Sequence, residues 1–351
     1  MKARLYLCLL SLAFVLAFSS CQSGSDFLGS FVDKMDTPAG TDGKPVDFAV
    51  QEGDDAEAIA ERLEEKKLIK SASFFRFLTL YYGVDKDLKA GEYELRPNLT
   101  SSEIIARLSH GTVRTTAVTI PEGWRMEEVA QLLEEKGVFA SKEFLRVAQE
   151  GKFDYEFLAS RRQGSSLEGF LFPDTYRVPA RFKAEAFVGL MLKNFDVRFS
   201  FAMRQQASER GMSIYEVLTL ASIVEREAVI AAERPIIAGV FLNRLREGMT
   251  LSACPTVQYV LGNDAENVAR FGYWKSELAV ADLELGSPYN TYRHSGLPPG
   301  PISNPGLASI KAVLEPTASD YLFFVAKDDG SHAFSITAEE HNRNVRIHSK
   351  S

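Results

Sequence analysis

SIYEVLTLASIVEREA, from Ser213 to Ala228, is the stretch whose reading decides how the chain folds. Ser213 and Glu216 stand three residues apart, the spacing of a capping box, and predict a helix start. Val217 to Val224 (VLTLASIV) is apolar on every side rather than along one stripe, which predicts a helix buried inside a domain. Glu225 emerges from that run. At about 100° per residue it stacks with Leu218, Ala221, Ser222, Ala228 and Val229. A carboxyl group among such neighbours loses hydration, which disfavours its ionised form and suits a general acid working near neutral pH. The position also fits a helix-end glutamate paired with Arg226 or another cation, and the residues alone leave both readings open.

Downstream, Pro235 fits the first turn of a second helix, PIIAGVFLNRLREG, which stops at Gly248. Ile236, Ile237, Val240, Phe241 and Leu245 form its buried face, leaving Asn243, Arg244 and Arg246 to solvent or a cleft. Further on, YLFFVA (321–326) and HAFSIT (332–337) read as two strands joined by Asp328-Asp329-Gly330, with a polar helix after them. Upstream, SLEGFLFPDTYRVP (166–179) sets Gly169, Pro173 and Pro179 among Phe170, Phe172 and Tyr176, with Glu168 and Asp174 interleaved. It predicts a loop entering a strand. Loops that hold acids and aromatics together often line sugar sites.

Towards the N-terminus the chain repeats itself. FAVQEGDDAEAIAERLEEKKLIKSASFF, from Phe48, aligns with VTIPEGWRMEEVAQLLEEKGVFASKEFL, from Val118. Glu52-Gly53 matches Glu122-Gly123, Leu63 matches Leu133, and Glu64-Glu65-Lys66 matches Glu134-Glu135-Lys136. Each copy predicts a strand, a Gly turn, an amphipathic helix and a second helix. GEYEL (91–95) reads as a strand and Ser101 to Leu108 as a capped helix. Two copies are too few for a solenoid; the unit resembles the LysM-like module that holds glycan strands. Tyr81, Tyr82, Tyr93 and Trp124 fit either sugar-stacking platforms or ordinary core and rim aromatics.

The first residues, MKARLYLCLLSLAFVLAFSSC, combine Lys2 and Arg4, an apolar run from Leu5 to Phe18, and small residues before Cys21. They read as a secretion leader, and the ending resembles a bacterial lipoprotein signal with Cys21 as the acylated residue. Phe18 departs from that pattern. An uncleaved anchor is the alternative, although the run is shorter than the roughly 20 residues of a comfortable span. Residues 22 to about 45, rich in Ser, Gly, Asp, Thr and Pro, read as a flexible tether.

With 351 residues, 45% of them hydrophobic, there is material for two or three domains. The formal charge of −7 without a basic stripe argues against nucleic acid as a partner. Three cysteines give no disulfide framework. His294, His332 and His341 lack metal-ligand spacing, so neither metal nor cofactor is expected. Ser222 has no evident His–Asp partner for a serine hydrolase.

LEGFLFPDTY (167–176), LASIVERE (220–227), VFLNRLREGMTL (240–251), PTVQY (255–259), the long segment from Ser287 to Pro316, YLFFVA and HAFSITAEEHNRNV occur in one order and spacing. Together they resemble the endolytic murein transglycosylase family over roughly residues 48–345. The resemblance implies Glu225 as the catalytic residue. It also implies peptidoglycan strands as substrate, with cleavage of the β-1,4 bond between N-acetylmuramic acid and N-acetylglucosamine to leave a 1,6-anhydro end. Penicillin-binding synthases are the implied protein partners. The family usually has Asp where this chain has Cys254, which is expected to be a small buried thiol rather than a nucleophile.

Hydrolysis would need two flanking carboxyl groups. Glu227 and Glu216 both lie about half a turn away from Glu225 around the helix, and Glu227 is expected to be structural, paired with Arg234 or Arg244. A second carboxyl would come from Glu168 or Asp174. The expected substrate contacts are Glu168, Phe172, Asp174, Tyr176, Asn243, Gln258, Tyr289 and Asn290, with His332 as a further option. A glycoside hydrolase, or a non-catalytic peptidoglycan-binding lipoprotein, remain as alternatives. The expected fold class is α+β, with LysM-like repeat modules before an α+β catalytic domain that holds a buried central helix and a small sheet. The expected divisions are 1–21 leader or anchor, 22–46 linker, 47–116 LysM-like module, 117–164 second repeat and connecting subdomain, and 165–348 catalytic domain. The expected location is the cell membrane, with the catalytic domain outside the cytoplasm.

Overall fold

The computed structural model describes residues 32, 35–110, 115–179 and 182–348. It is a mixed α+β fold whose described strands form three two-stranded sheets, and the chain divides into two compact units, residues 1–115 and 116–351.

In the first unit, β1 (Val46–Val50) pairs antiparallel with β2 (Gly91–Leu95), with Phe48 opposite Tyr93 and Val46 opposite Leu95. Period-2 alternation sends Phe48, Val50, Tyr93 and Leu95 to the buried side. Between the strands lie α1 (Ala56–Glu65), capped by Asp55, which accepts the Ala58 N–H at 2.8 Å, and α2 (Ala72–Tyr81), capped by Ser71. α3 (Ser101–His110) follows β2. Ile59, Leu63, Phe75, Leu78, Ile104 and Leu108 complete this core.

The second unit begins with the same order. β3 (Thr115–Thr119), α4 (Met126–Glu135) and α5 (Ser141–Glu150) are followed by β4 (Thr175–Pro179), which pairs with β3. Next come α6 (Ala184–Arg198) and α7 (Phe201–Glu209). α8 (Ile214–Glu227) then starts at the capping box: Ser213 Oγ accepts the Glu216 N–H at 3.2 Å, and the Glu216 carboxylate accepts the Ser213 N–H at 2.8 Å. All residues of α8 from Val217 to Val224 are buried, as their all-round apolarity requires.

Around α8 pack α9 (Arg234–Arg246), with Pro235 in its first turn, α10 (Cys254–Leu261) and α12 (Leu307–Leu314). Short α11 (Ala265–Phe271) follows α10. The chain closes with the antiparallel pair β5 (Phe323–Ala326) and β6 (His332–Ser335) and the polar α13 (Ala338–His348). Gly248, with φ +71°, stands just past the end of α9, where the left-handed region admits glycine without strain.

The expected membrane location is corrected here. Among the described residues no helix is long and apolar enough to cross a membrane. The leader on which that expectation rested (residues 1–21) lies outside the described residues, as does part of the segment 22–46.

Candidate active site

Glu225 occupies the last turn of α8, and its side chain is 6% exposed. Its surroundings differ from the oily environment that the sequence predicts. Oε1 accepts a hydrogen bond from Arg234 Nη2 at 3.2 Å, and Oε2 accepts the Gly306 N–H at 2.9 Å. Arg234 opens α9 and Gly306 caps α12, so the carboxyl is held where three helices meet. The apolar neighbours lie along α8 itself; the first residue of α9 and the amide that caps α12 supply donors to the carboxyl instead. Arg234 pairs with Glu225 rather than with Glu227.

The turn between β3 and α4 closes over this site. Gly123, at φ +76°, presses on α8: a Cβ added there would stand 3.3 Å from Glu225 Cγ and 3.4 Å from Arg226 Cδ. Its neighbour Glu122 is exposed, and its carboxyl lies so close to Gly306 that any Cβ at that glycine would run into it. Burial of the Glu122 carboxyl against these loops raises its pKa, the charge of Glu225 raises it further, and Arg234 opposes both. The sequence offers Glu122 only as half of a repeated Glu-Gly turn. Its pairing with Glu225 arises from tertiary packing alone.

Asn304 holds the turn in place. The Gly123 N–H donates to Asn304 O (2.9 Å), and the Asn304 N–H donates to Trp124 O (2.8 Å). The Asn304 side chain reaches the other way: Oδ1 accepts the N–H groups of Gly169 (2.8 Å) and Leu171 (3.1 Å), while Nδ2 donates to Trp124 O and Glu168 Oε1. One turn of α8 below Glu225, Ser222 Oγ accepts the Ile302 N–H at 3.0 Å. Ser222 and Glu225 thus fix the 302–306 segment at both ends. Beside this frame, the Arg226 guanidinium lies 3.9 Å over the Trp274 ring, and Trp274 Nε1 donates to Glu128 at 2.9 Å.

The other expected contact residues sit elsewhere. Glu168 is buried, accepts the Met126 N–H at the start of α4, and bonds Asn304, so it joins segments rather than facing a groove. Its burial, with Glu127 nearby, pushes its pKa well up. Phe172 and Tyr176 are buried, and Tyr176 donates to Phe172 O at 2.5 Å; burial takes the Tyr176 hydroxyl up to about 12. Asp174 lies beside α6, bonded to Asn194 and ion-paired with Arg198 at 2.9 Å, which together lower its pKa.

Asn243 is spent on the carbonyls of Ser319 and Tyr321, and fully buried Asn290 on those of Leu283 and Leu285. Gln258 donates to Lys275 O at 2.7 Å. Tyr289 packs at a tilt against Tyr259, with ring centroids 4.9 Å apart, and burial pushes its hydroxyl up to about 12. His332 is buried against Glu233, Nδ1 to Oε2 2.7 Å. Asn243, Gln258 and Asn290 organise loops through backbone carbonyls, a use that sequence position does not reveal.

Glu227 turns to the opposite side of α8, where it accepts the Cys254 N–H and lies near Arg244. Cys254 is exposed, a correction to the buried thiol expected from its size, because it is the first residue of α10 and its Sγ meets the Tyr292 hydroxyl at 3.1 Å. Desolvation pushes Glu227 up to about 7 from an ordinary value near 4.5. The folded chain therefore binds more protons than the unfolded chain between these values. The stability this gives is full below about 4.5 and disappears as pH rises through about 7. Thermal melts from pH 4 to 8, run with and without Glu227→Gln, are expected to show that slope in the parent and a flatter profile in the variant.

Comparison with known proteins places these features in context. The model of the YceG-like family matches residues 48–347. An endolytic murein transglycosylase of Bacillus subtilis (strain 168) is 32% identical over 311 residues, spanning 85% of this chain and 83% of that protein. An endolytic murein transglycosylase of Streptococcus pneumoniae (strain R6) is 30% identical over 329 residues, 87% of this chain but 58% of the longer relative. The 2.6 Å crystal structure of a yceG-like protein from Listeria monocytogenes aligns with TM-score 0.56 and 35% identity, over 86% of this chain and 99% of that one. None of these descriptions names a LysM module.

Proposed function

This chain belongs to the YceG-like family, and we propose that Glu225 is the carboxyl group on which its chemistry turns. The chain is an endolytic murein transglycosylase, an enzyme that acts on the glycan strands of peptidoglycan. The observation that carries the assignment of Glu225 is its placement: a carboxylate at the end of the buried helix, fixed by Arg234 and the Gly306 amide, beneath a turn that carries an exposed Glu122.

The reaction cuts the β-1,4 bond between N-acetylmuramic acid and N-acetylglucosamine. The muramoyl C6 hydroxyl attacks its own anomeric carbon and leaves a 1,6-anhydro end. An intramolecular nucleophile needs no bound water and gains from proximity. The proton work, one given to the leaving oxygen and one taken from the hydroxyl, falls to carboxyl chemistry of the kind Glu225 provides. Cutting inside nascent strands would limit their length, and penicillin-binding synthases are the corresponding protein partners. The first unit serves as a LysM-like glycan holder on this reading. Its strand–helix–helix–strand order and the exposed Tyr81 and Tyr82 support that role.

Glu122 favours one other reading. Two carboxyl groups close together are what a glycoside hydrolase requires. Mass spectrometry of glycan digests separates the two: anhydro ends are expected, and reducing ends in their place would establish hydrolysis.

A further inference from the structure

Both Glu225 oxygens face partners that only donate. A guanidinium has five N–H donors and no acceptor, and a backbone amide nitrogen likewise donates. Through the contacts at Arg234 and Gly306, a proton on Glu225 finds nothing to accept it. A carboxyl group so placed enters the reaction as an acceptor and not as a proton donor. Glu122 is placed differently. It is exposed, it comes from the turn above, and its carboxyl lies against the Gly306 backbone whose N–H binds Glu225. Its charged surroundings are Glu225 from α8 and Arg234 from α9, with Arg226 packed on the adjacent Gly123. The two carboxyls therefore approach one glycine from two segments, one inner and held, the other outer and open.

We infer that Glu122 is a second catalytic carboxyl group, set across Gly306 from Glu225, and that it donates the proton to the leaving glycosidic oxygen while Glu225 takes the proton released by the C6 hydroxyl. This division rests on the assignment of Glu225 made above. The step balances without a co-reactant. The O–H bond of Glu122 breaks and its proton goes to the glycosidic oxygen, which keeps the electron pair of the broken anomeric bond. The C6 oxygen bonds to the anomeric carbon and loses its proton to Glu225. The pair ends with Glu225 protonated and Glu122 ionised. One proton lost to solvent by Glu225 and one regained by the exposed Glu122 restore the start. Burial and the charge of Glu225 both shift Glu122 upward, and Arg234 opposes them.

The full chain is tested on two substrates: glycan strands, and an aryl glycoside of N-acetylmuramic acid whose leaving group needs no proton. Glu122→Gln is expected to slow cutting of strands by about 10²-fold or more and cutting of the aryl glycoside by less than about ten-fold. The parent is expected to lose rate as pH rises, and the variant is expected not to. Gly306→Ala keeps both carboxyls and a backbone conformation open to alanine (φ −74°) but displaces Glu122, so it should slow strand cutting in the same selective way. Melting curves monitor folding of each variant. Equal loss on both substrates with an unchanged pH profile, or strand cutting within about two-fold of the parent, would overturn the role of Glu122. Glu225→Gln should fail on both substrates, since a proton acceptor is needed in each case. Activity retained there would instead remove the reading beneath.

Discussion

Replacing Glu225 by Gln is expected to lower strand cutting by about 10³-fold or more, the upper part of the range for a lost acid–base group, while glycan binding and folding persist. The glutamine carbonyl can still accept the Gly306 N–H, so the 302–306 segment keeps its anchor. What disappears is the anionic oxygen facing Arg234 at 3.2 Å and the capacity to carry a proton. A single hydrogen bond to a charged group contributes about 1.5–3 kcal/mol, and part of that is recovered by the amide. The loss is therefore read in turnover rather than in the melting temperature. Product counting on purified strands, with a melting curve for each protein, checks it. A variant that cuts at the parental rate sinks the assignment.

The second large effect is on stability. Asn304→Ala removes four side-chain hydrogen bonds at a position with no exposure: two from the N–H groups of Gly169 and Leu171, one to Trp124 O and one to Glu168. The amides lose their acceptor in a region that water does not reach readily, and buried Glu168 loses one of the donors that make its burial tolerable. Leaving buried polar groups unpaired costs about 1–3 kcal/mol each, though such losses do not add fully. A total near 4 kcal/mol lowers the melting temperature by roughly 10 °C for a unit of this size. Activity should fall with it, because the same residue positions the turn that bears Glu122. A shift under about 2 °C would show that the three segments hold one another without Asn304.

Some of this was legible in the residues and some was not, for physical reasons. Helix α8 could be read because its signals are local: Ser213 and Glu216 bond within one turn, and the burial of Val217 to Val224 follows from composition. The strand–helix–helix order of the two repeats is local in the same sense. Glu225 was visible as a carboxyl leaving an apolar run, but its partners were not. Arg234 follows nine residues later, whereas Gly306 lies 81 positions further along the chain. The two readings of Glu225, functional group or paired helix-end acid, prove compatible, since it is paired with Arg234 where the chemistry is assigned.

Glu122 was hidden by its own repeat. Glu52-Gly53 has the same turn in the first unit, so the dipeptide signals a turn and says nothing of what it covers. Glu168, Asn243 and Asn290 show the opposite difficulty. Polar residues in Gly- and Pro-rich loops, or on the polar side of a helix as Asn243 is, look like groove residues, yet each is turned inward onto backbone groups of a loop or helix start. A polar side chain that satisfies buried backbone and one that awaits a ligand have the same sequence signature. Only the packed loops distinguish them.

The most direct test of the account is digestion of purified glycan strands in water enriched in heavy oxygen, with the parent chain and Glu225→Gln side by side. Attack by the C6 hydroxyl predicts anhydro ends carrying no heavy oxygen from the parent and almost none of these ends from the variant. Reducing ends labelled with heavy oxygen, or anhydro ends formed equally by both proteins, would contradict it.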